Sequence, residues 1–291
     1  MKKLLYTFGM VCLMVSTAFA GGPWPQAKGI GFFKVSEWWI VFDKHFTDSG
    51  LTDPNITTGI FNTFVYGEYG ITNRLTGIVS APLLSRNYMN NLVSETTQEV
   101  LVKGDAVNSI GDIDVGIKYG LTKPGSKIPV AASLILGLPT GKAVAGELNN
   151  LQTGDGEFNQ MLQLDAGMGF KLTQNISSYA SVYTAYNNRT KDFSDEFRFG
   201  AEYGVGLFKQ RLWLTARLNV VESLRNGTKR EEVTSTSIFA NNTEYTSIGF
   251  EASFYVTRKI GISAGMAGAS RGELIAAAPS YSVGVFYDMS K

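Results

Sequence analysis

The chain has 291 residues, with 26 basic and 25 acidic side chains, one histidine, one cysteine and 32 glycines. The near-balance of charge removes the electrostatic case for nucleic acid or an anionic membrane surface as partner, and a single cysteine excludes a disulfide framework. Beyond the first twenty residues no stretch approaches the roughly 18 apolar residues that a transmembrane helix needs.

Residues 1–20 read as a secretory signal peptide. Lys2 and Lys3 form the positive end, Leu4 to Val15 is mostly apolar, and Ala18-Phe19-Ala20 is a small-x-small cleavage pattern. The mature chain is expected to begin at Gly21. Cleavage removes Cys12 and the two lysines, leaving 24 basic residues against 25 acidic ones. Residues 21–291 are then one domain, in which residues 21–29, with Pro23-Trp24-Pro25, form an irregular segment expected on the periplasmic side or inside the domain as a plug.

A long aromatic strand is predicted over Ile30 to Phe46, with loop signals in Asp48-Ser49-Gly50 and again in Asp53-Pro54-Asn55. A second strand runs to Ile71, and a tight turn at Asn73 leads into a third from Leu75 to Ser85. Arg86 to Asn108 is a polar stretch. Gly111 to Thr122 alternates strictly, with Ile113, Val115, Ile117, Tyr119 and Leu121 on one face and Asp112, Asp114, Gly116, Lys118 and Gly120 on the other. Ile128 to Leu138 follows, then a long loop from Pro139 to Asn159. The pattern repeats through Gln160–Leu172, Ile176–Asn187, Glu196–Phe208, Arg211–Leu224, Glu244–Thr257, Ile260–Gly268 and Tyr281–Asp288.

About twelve strands result, most near the length that crosses a bilayer, with short turns expected after even-numbered strands and long loops after odd-numbered ones. The expected fold is all-β, an antiparallel transmembrane β-barrel in the cell outer membrane. A soluble barrel with the apolar face turned inward is the alternative. The abundance of Gly and Ser beside the charges, the loop alternation and the strand length all favour the membrane.

In such a barrel the charged parity faces the lumen. The lumen candidates are Glu68, Asp112, Asp114, Lys118, Asp165, Lys171, Glu196, Arg198, Glu202, Arg217 and Glu251. Their structural meaning is a salt-bridged interior; their functional meaning is a polar path for solute. Tyr69, Tyr119 and Tyr203 each sit in a charge-Tyr-Gly-aliphatic repeat near a short turn, on the apolar parity, and are the candidates for the interfacial aromatic girdle.

Nothing carries the chemistry of an enzyme. Gly137-Leu138-Pro139-Thr140-Gly141-Lys142 is one residue short of a phosphate loop, and neither a hydroxyl residue nor a helix follows. His45 is the only histidine, so a His-rich metal site is excluded and a Ser-His hydrolase would depend on that one residue. Asn149 to Glu157 offers oxygens but no EF-hand spacing, and reads as a solvated loop. No cofactor or metal is expected.

Gly111-Asp112-Ile113-Asp114-Val115-Gly116-Ile117-Lys118-Tyr119, followed by Leu136-Gly137-Leu138-Pro139-Thr140-Gly141, resembles the outer-membrane family named for the MetA pathway of phenol degradation. Its members are described as transporters and as distant relatives of FadL-type channels. The resemblance loosely covers most of the mature chain. It implies a barrel with outer-membrane lipid as its partner and passive passage of small hydrophobic or aromatic compounds. It transfers no functional residue. A non-transporting structural or surface-binding barrel is the alternative function. Oligomeric state and strand count beyond about twelve are not fixed by the sequence. Many such barrels end on an aromatic residue, whereas here Phe286 and Tyr287 precede Asp288-Met289-Ser290-Lys291.

Overall fold

The structure, a computed structural model, describes residues 21–229 and 238–291; the expected leader lies outside them. Twelve antiparallel strands close into one barrel. In chain order they are β1 Gly31–Phe46, β2 Thr52–Gly70, β3 Leu75–Met89, β4 Ile113–Gly120, β5 Val130–Leu138, β6 Asn159–Lys171, β7 Ser177–Arg189, β8 Glu196–Leu207, β9 Leu212–Ser223, β10 Glu244–Tyr255, β11 Ile260–Glu273 and β12 Ser280–Asp288. Each pairs with its sequence neighbour. β1 also pairs with β12, from Phe32 opposite Asp288 to Ile40 opposite Ser280. Closure leaves no row of unpaired backbone groups, which hydrocarbon could not solvate. Asp105–Ser109 prolongs β4 along β3 after a break at residues 110–112. Leu92–Val93 pairs with Val100–Val102 as a separate hairpin, and Ile275–Ala276 pairs with the end of β1.

The burial pattern decides which face meets lipid. Along β4 the apolar parity is exposed, Ile117 at 49% and Tyr119 at 45%, while Lys118 between them is 2% exposed. The same holds on β8, β9 and β10, where Phe199, Tyr203, Leu214, Leu218, Ile248 and Phe250 are all exposed. A soluble barrel would bury these and expose the charges. A continuous apolar outer band with a charged interior is the signature of an outer-membrane barrel. Phe250, mid-strand on β10 and 57% exposed, tests it. Phe250→Arg is expected to lower folding stability in phospholipid vesicles by about 2–4 kcal/mol, the cost of a guanidinium at mid-depth. Denaturant titration in vesicles measures this, and an unchanged midpoint would contradict the lipid-facing assignment.

Strand ends depart from expectation where polar composition imitates a loop. Asp53 and Pro54 belong to β2, and the β1–β2 connection is only residues 47–51, closed by Thr47 N donating to Leu51 O at 2.8 Å. β3 ends opposite Thr58, so Pro54 has a strand neighbour on one side alone, where a residue without an N–H is tolerated. β3 reaches Met89 and β11 reaches Glu273, further than expected, because strands that rise beyond the bilayer no longer need apolar side chains. The loop alternation is correspondingly weaker. Connections 90–112, 139–158 and 224–243 are long, whereas 47–51, 190–195 and 274–279 are short.

Candidate functional site

The lumen is built in tiers, starting at the end where the short turns lie. Phe32, Tyr179, Trp213, Tyr255 and Phe286 form a buried aromatic cluster there, with Trp24 and Tyr66 packed against it. All five sit on the charged parity, close to the short-turn ends of their strands. Reading that parity for charge alone passes over them. The signal was an aromatic residue out of phase with the outer face, as Trp213 is between Leu212 and Leu214. Tyr255 meets Phe286 edge-on at 5.0 Å, and Trp24 meets Tyr179 at 5.7 Å. The Tyr179 ring lies against Gly204 of β8, where a Cβ would collide with it. Only glycine lets a ring lie flat against the wall at that point.

Residues 21–29 run into this end of the barrel. Lys28 bridges to Gly70, Gln26 N donates to Thr76 Oγ1 at 2.8 Å, and Gln26 Nε2 donates to Glu68 Oε2 at 3.0 Å. Glu68 on β2 is paired with Lys118 on β4 at 2.9 Å, across the intervening β3. Both are almost wholly buried. Tyr66 Oη and Gly21 N also donate to Glu68, at 2.6 and 3.0 Å. Asp165 is buried beside this pair and accepts from Gln163 at 2.9 Å.

On the opposite wall a ladder of charges crosses four strands. Glu202 and Arg217 face each other in register on β8 and β9 and form an ion pair. Arg217 Nη1 reaches Glu251 Oε2 at 3.5 Å, and Lys34 Nζ reaches the same oxygen at 2.8 Å. Acids and bases alternate, so each charge in this low-dielectric interior has a partner. Between the ladder and the aromatic cluster is a cavity of about 70 Å³ lined by Phe32, Tyr179, Trp213, Arg217, Glu251 and Phe286.

At the other end the connection 139–158 folds into the barrel mouth. This corrects the expectation of a solvated loop over Asn149 to Glu157: Leu151, Gln152, Thr153 and Glu157 are buried. Leu151 packs against Met89 and Val107, and the Asn87 amide donates to Gln152 O. A lumen is a polar interior, so a polar loop can be buried there without loss of hydrogen bonds. Asp112 is the principal anchor. It stands in the break above β4, not in a strand as expected, and accepts from Gly141 N at 2.8 Å and Asp155 N at 2.9 Å. Gly154 is pressed so close that a Cβ would strike the Asp112 carboxylate. Thr140 Oγ1 donates to Gly111 O at 2.6 Å, and Thr153 Oγ1 accepts from Lys142 N and donates to Ile110 O, each at 2.9 Å. The two halves of the family-like motif therefore meet as a clasp that holds the loop.

From the loop, Asp155 and Glu157 reach Arg189 of β7 at 2.8 and 3.0 Å, and Arg189 also pairs with Glu196 at 2.8 Å. Arg198 takes the other Glu196 oxygen, with its Nε at 2.8 Å. A second cavity of about 130 Å³ lies among Glu157, Asn187, Arg189, Glu196, Arg198 and Tyr245. Burial and the backbone N–H of Thr190 act in opposite directions on Glu157, and burial prevails, holding its carboxyl above the usual range.

Burial likewise pushes Asp112 up to about 6, the nearby Asp155 carboxylate adding to the rise and the two backbone N–H donors opposing it. A raised acid favours the closed loop fully below its ordinary value, and the advantage is lost as pH rises through about 6. Residues 141–156 are therefore expected to be better protected at pH 5 than at pH 7.5. Hydrogen exchange corrected for intrinsic rates measures this, and the pH difference should shrink in Asp112→Asn.

Of the remaining candidates, Asp114 lies on the lumen parity of β4 within the field of Arg198 and Asp155. Lys171 ends β6 exposed and joins none of the ion pairs above. Tyr69, Tyr119 and Tyr203 are exposed on the outer face, and Arg74 lies 5.4 Å from the Tyr119 ring. At the chain end Phe286 turns inward and Tyr287 outward. His45 lies near the mouth opposite Asp53 and Ala276, its Nδ1 buried without a hydrogen bond among the described residues. No group of three or more His, Cys, Asp or Glu side chains suited to a metal ion occurs among the described residues.

No family model matches the chain, and no curated protein sequence matches it. The phenol-degradation resemblance thus rests on the motif alone. Among solved structures, the chain is similar to the COG4313 outer membrane channel from Pseudomonas putida F1, with 15% identity over 94% of this chain and 100% of that one, and a TM-score of 0.56. It also matches the NanC porin at 8% identity over 88% of this chain and 98% of that one, with a TM-score of 0.47. The likeness to the Pseudomonas putida F1 channel, at 15% identity, shows the outer-membrane barrel fold alone.

Proposed function

We propose that this barrel is a narrow outer-membrane channel for passive movement of small solutes, with aromatic and other small hydrophobic compounds as the class it passes. The observation that carries this reading is the inner cavity, where the Phe32, Tyr179, Trp213 and Phe286 rings face the Arg217–Glu251 charges. An aromatic compound bearing a polar group fits such a wall, stacking on the rings while its polar end meets the ladder. The description of the Pseudomonas putida F1 barrel as a channel agrees with it. Residues 21–29 act as a plug at the periplasmic end, and the 139–158 loop narrows the mouth. The lumen-facing charges Glu68, Lys118, Asp165, Glu202, Arg217 and Glu251 set the polarity of the path, and Tyr69, Tyr119 and Tyr203 anchor the barrel at the interface.

Reconstituted protein tests the proposal. Liposome flux is expected to be measurable for small aromatic compounds and low for sugars. Absence of flux for ions, sugars and aromatics alike would favour the non-transporting barrel.

A further inference from the structure

Glu68 accepts four hydrogen bonds in the lumen, and with the neighbouring Asp165 ionised its surroundings are short of one positive charge. Its side chain is fully buried, yet Oε1 alone receives Lys118 Nζ, Tyr66 Oη and Gly21 N, while Oε2 receives Gln26 Nε2. Asp165, 3% exposed, lies in the field of both Glu68 and Lys118. Lys118 forms its ion pair with Glu68, and Asp165, bonded to Gln163, lies beside that pair. The four-strand ladder is balanced within itself, Glu202 and Glu251 against Arg217 and Lys34, and has no charge to spare. An uncompensated buried charge is strongly unfavourable.

We propose that the missing charge is the α-ammonium of Gly21, created when a leader peptidase hydrolyses the Ala20–Gly21 bond. Water adds across that amide, Ala20 leaves with the carboxylate, and the Gly21 nitrogen takes up a proton. That nitrogen lies 3.0 Å from Glu68 Oε1. Before cleavage it is a neutral amide, and with Asp165 ionised the cluster of Glu68, Asp165 and Lys118 carries one excess negative charge. After cleavage the cluster is neutral, and the contact becomes a charge-assisted one. Maturation and seating of the N-terminal segment are then one event: the new terminus is bound in a site whose charge is complementary to an amine. The inference rests on the plug reading for its consequence, but the capture of the amine is tested independently of it.

The experiment uses the full mature protein secreted to the outer membrane and purified folded. Mass spectrometry of its N-terminal peptide is expected to begin at Gly21. A brief pulse of an amine-acylating ester near pH 8, where a free α-amine is about half deprotonated, should modify Gly21 about fivefold more slowly in the folded protein than in the denatured chain, the retardation of a pair that raises the amine by about one unit. Glu68→Gln should remove that protection. A second variant with two residues inserted before Gly21 keeps every barrel residue and moves the ammonium by up to about 7 Å; it too should react at the unprotected rate. A mature chain beginning elsewhere, or equal acylation of the parent and the extended chain, overturns the inference. Conductance recorded on the same samples separates the two readings. Lost protection with unchanged conductance rejects the plug and keeps the captured amine, while retained protection in both variants rejects the captured amine alone.

Discussion

Lys118→Met is expected to destabilise the barrel by about 3–5 kcal/mol, the largest loss from any single lumen substitution considered, because it strands a buried carboxylate. Glu68 lies beneath the N-terminal segment with its side chain fully buried, and water cannot replace the lost ammonium. The Tyr66 and Gln26 donors remain but are neutral and do not cancel a charge, and the Gly21 ammonium inferred above cannot by itself balance both Glu68 and Asp165. Glu68→Gln combined with Lys118→Met removes both charges and should recover most of the loss, giving a large coupling in a double-mutant cycle. Urea midpoints in detergent micelles or vesicles give the four numbers. Additive losses would mean that the two residues do not act as a pair.

Freeing the mouth loop should produce the largest change in transport. Asp112→Ala leaves the Gly141 and Asp155 amides without their carboxylate acceptor, and each charge-assisted bond lost is worth about 1.5–3 kcal/mol before relaxation. Combined with Thr153→Val, which removes the bonds to Lys142 N and Ile110 O, the clasp keeps only the Thr140 bond to Gly111 O. The barrel wall is untouched, so folding should persist while single-channel conductance rises severalfold and becomes noisier. Protease sensitivity within residues 141–156 should appear alongside. Unchanged conductance with a cleaved loop would show that the loop does not limit the path.

The wall was readable before the structure because a strand in a closed barrel has two chemically opposite neighbours, lipid and lumen. Alternation through Phe197, Phe199, Ala201 and Tyr203 against Arg198, Gly200 and Glu202 records both. Glu68, Lys118, Glu202, Arg217 and Glu251 could be placed on the lumen parity in this way. Their partners could not. Glu68 and Lys118 are separated by a whole strand, and the reach from one to the other depends on register across β2, β3 and β4. The aromatic cluster was hidden for a related reason: a ring on the polar parity looks like an exception until five such rings meet at one end.

Loops were least legible. The usual inference, that a run of Asn, Gly, Asp and Thr is solvated, assumes an apolar interior, and a polar lumen removes that assumption. The loop at Leu151 to Glu157 is buried for this reason, and Asp112 anchors it from a break where strict alternation had implied continuous strand.

By itself, the sequence determined an all-β chain of about twelve strands, the outward and inward faces and the crossing of a membrane, because these follow from a period of two repeated over lengths that span a bilayer. Tertiary structure alone decided which charges pair, which rings cluster, and that both ends of the lumen are occupied. Those facts depend on how a sheet curls and staggers on closing, which brings together residues that no local pattern relates.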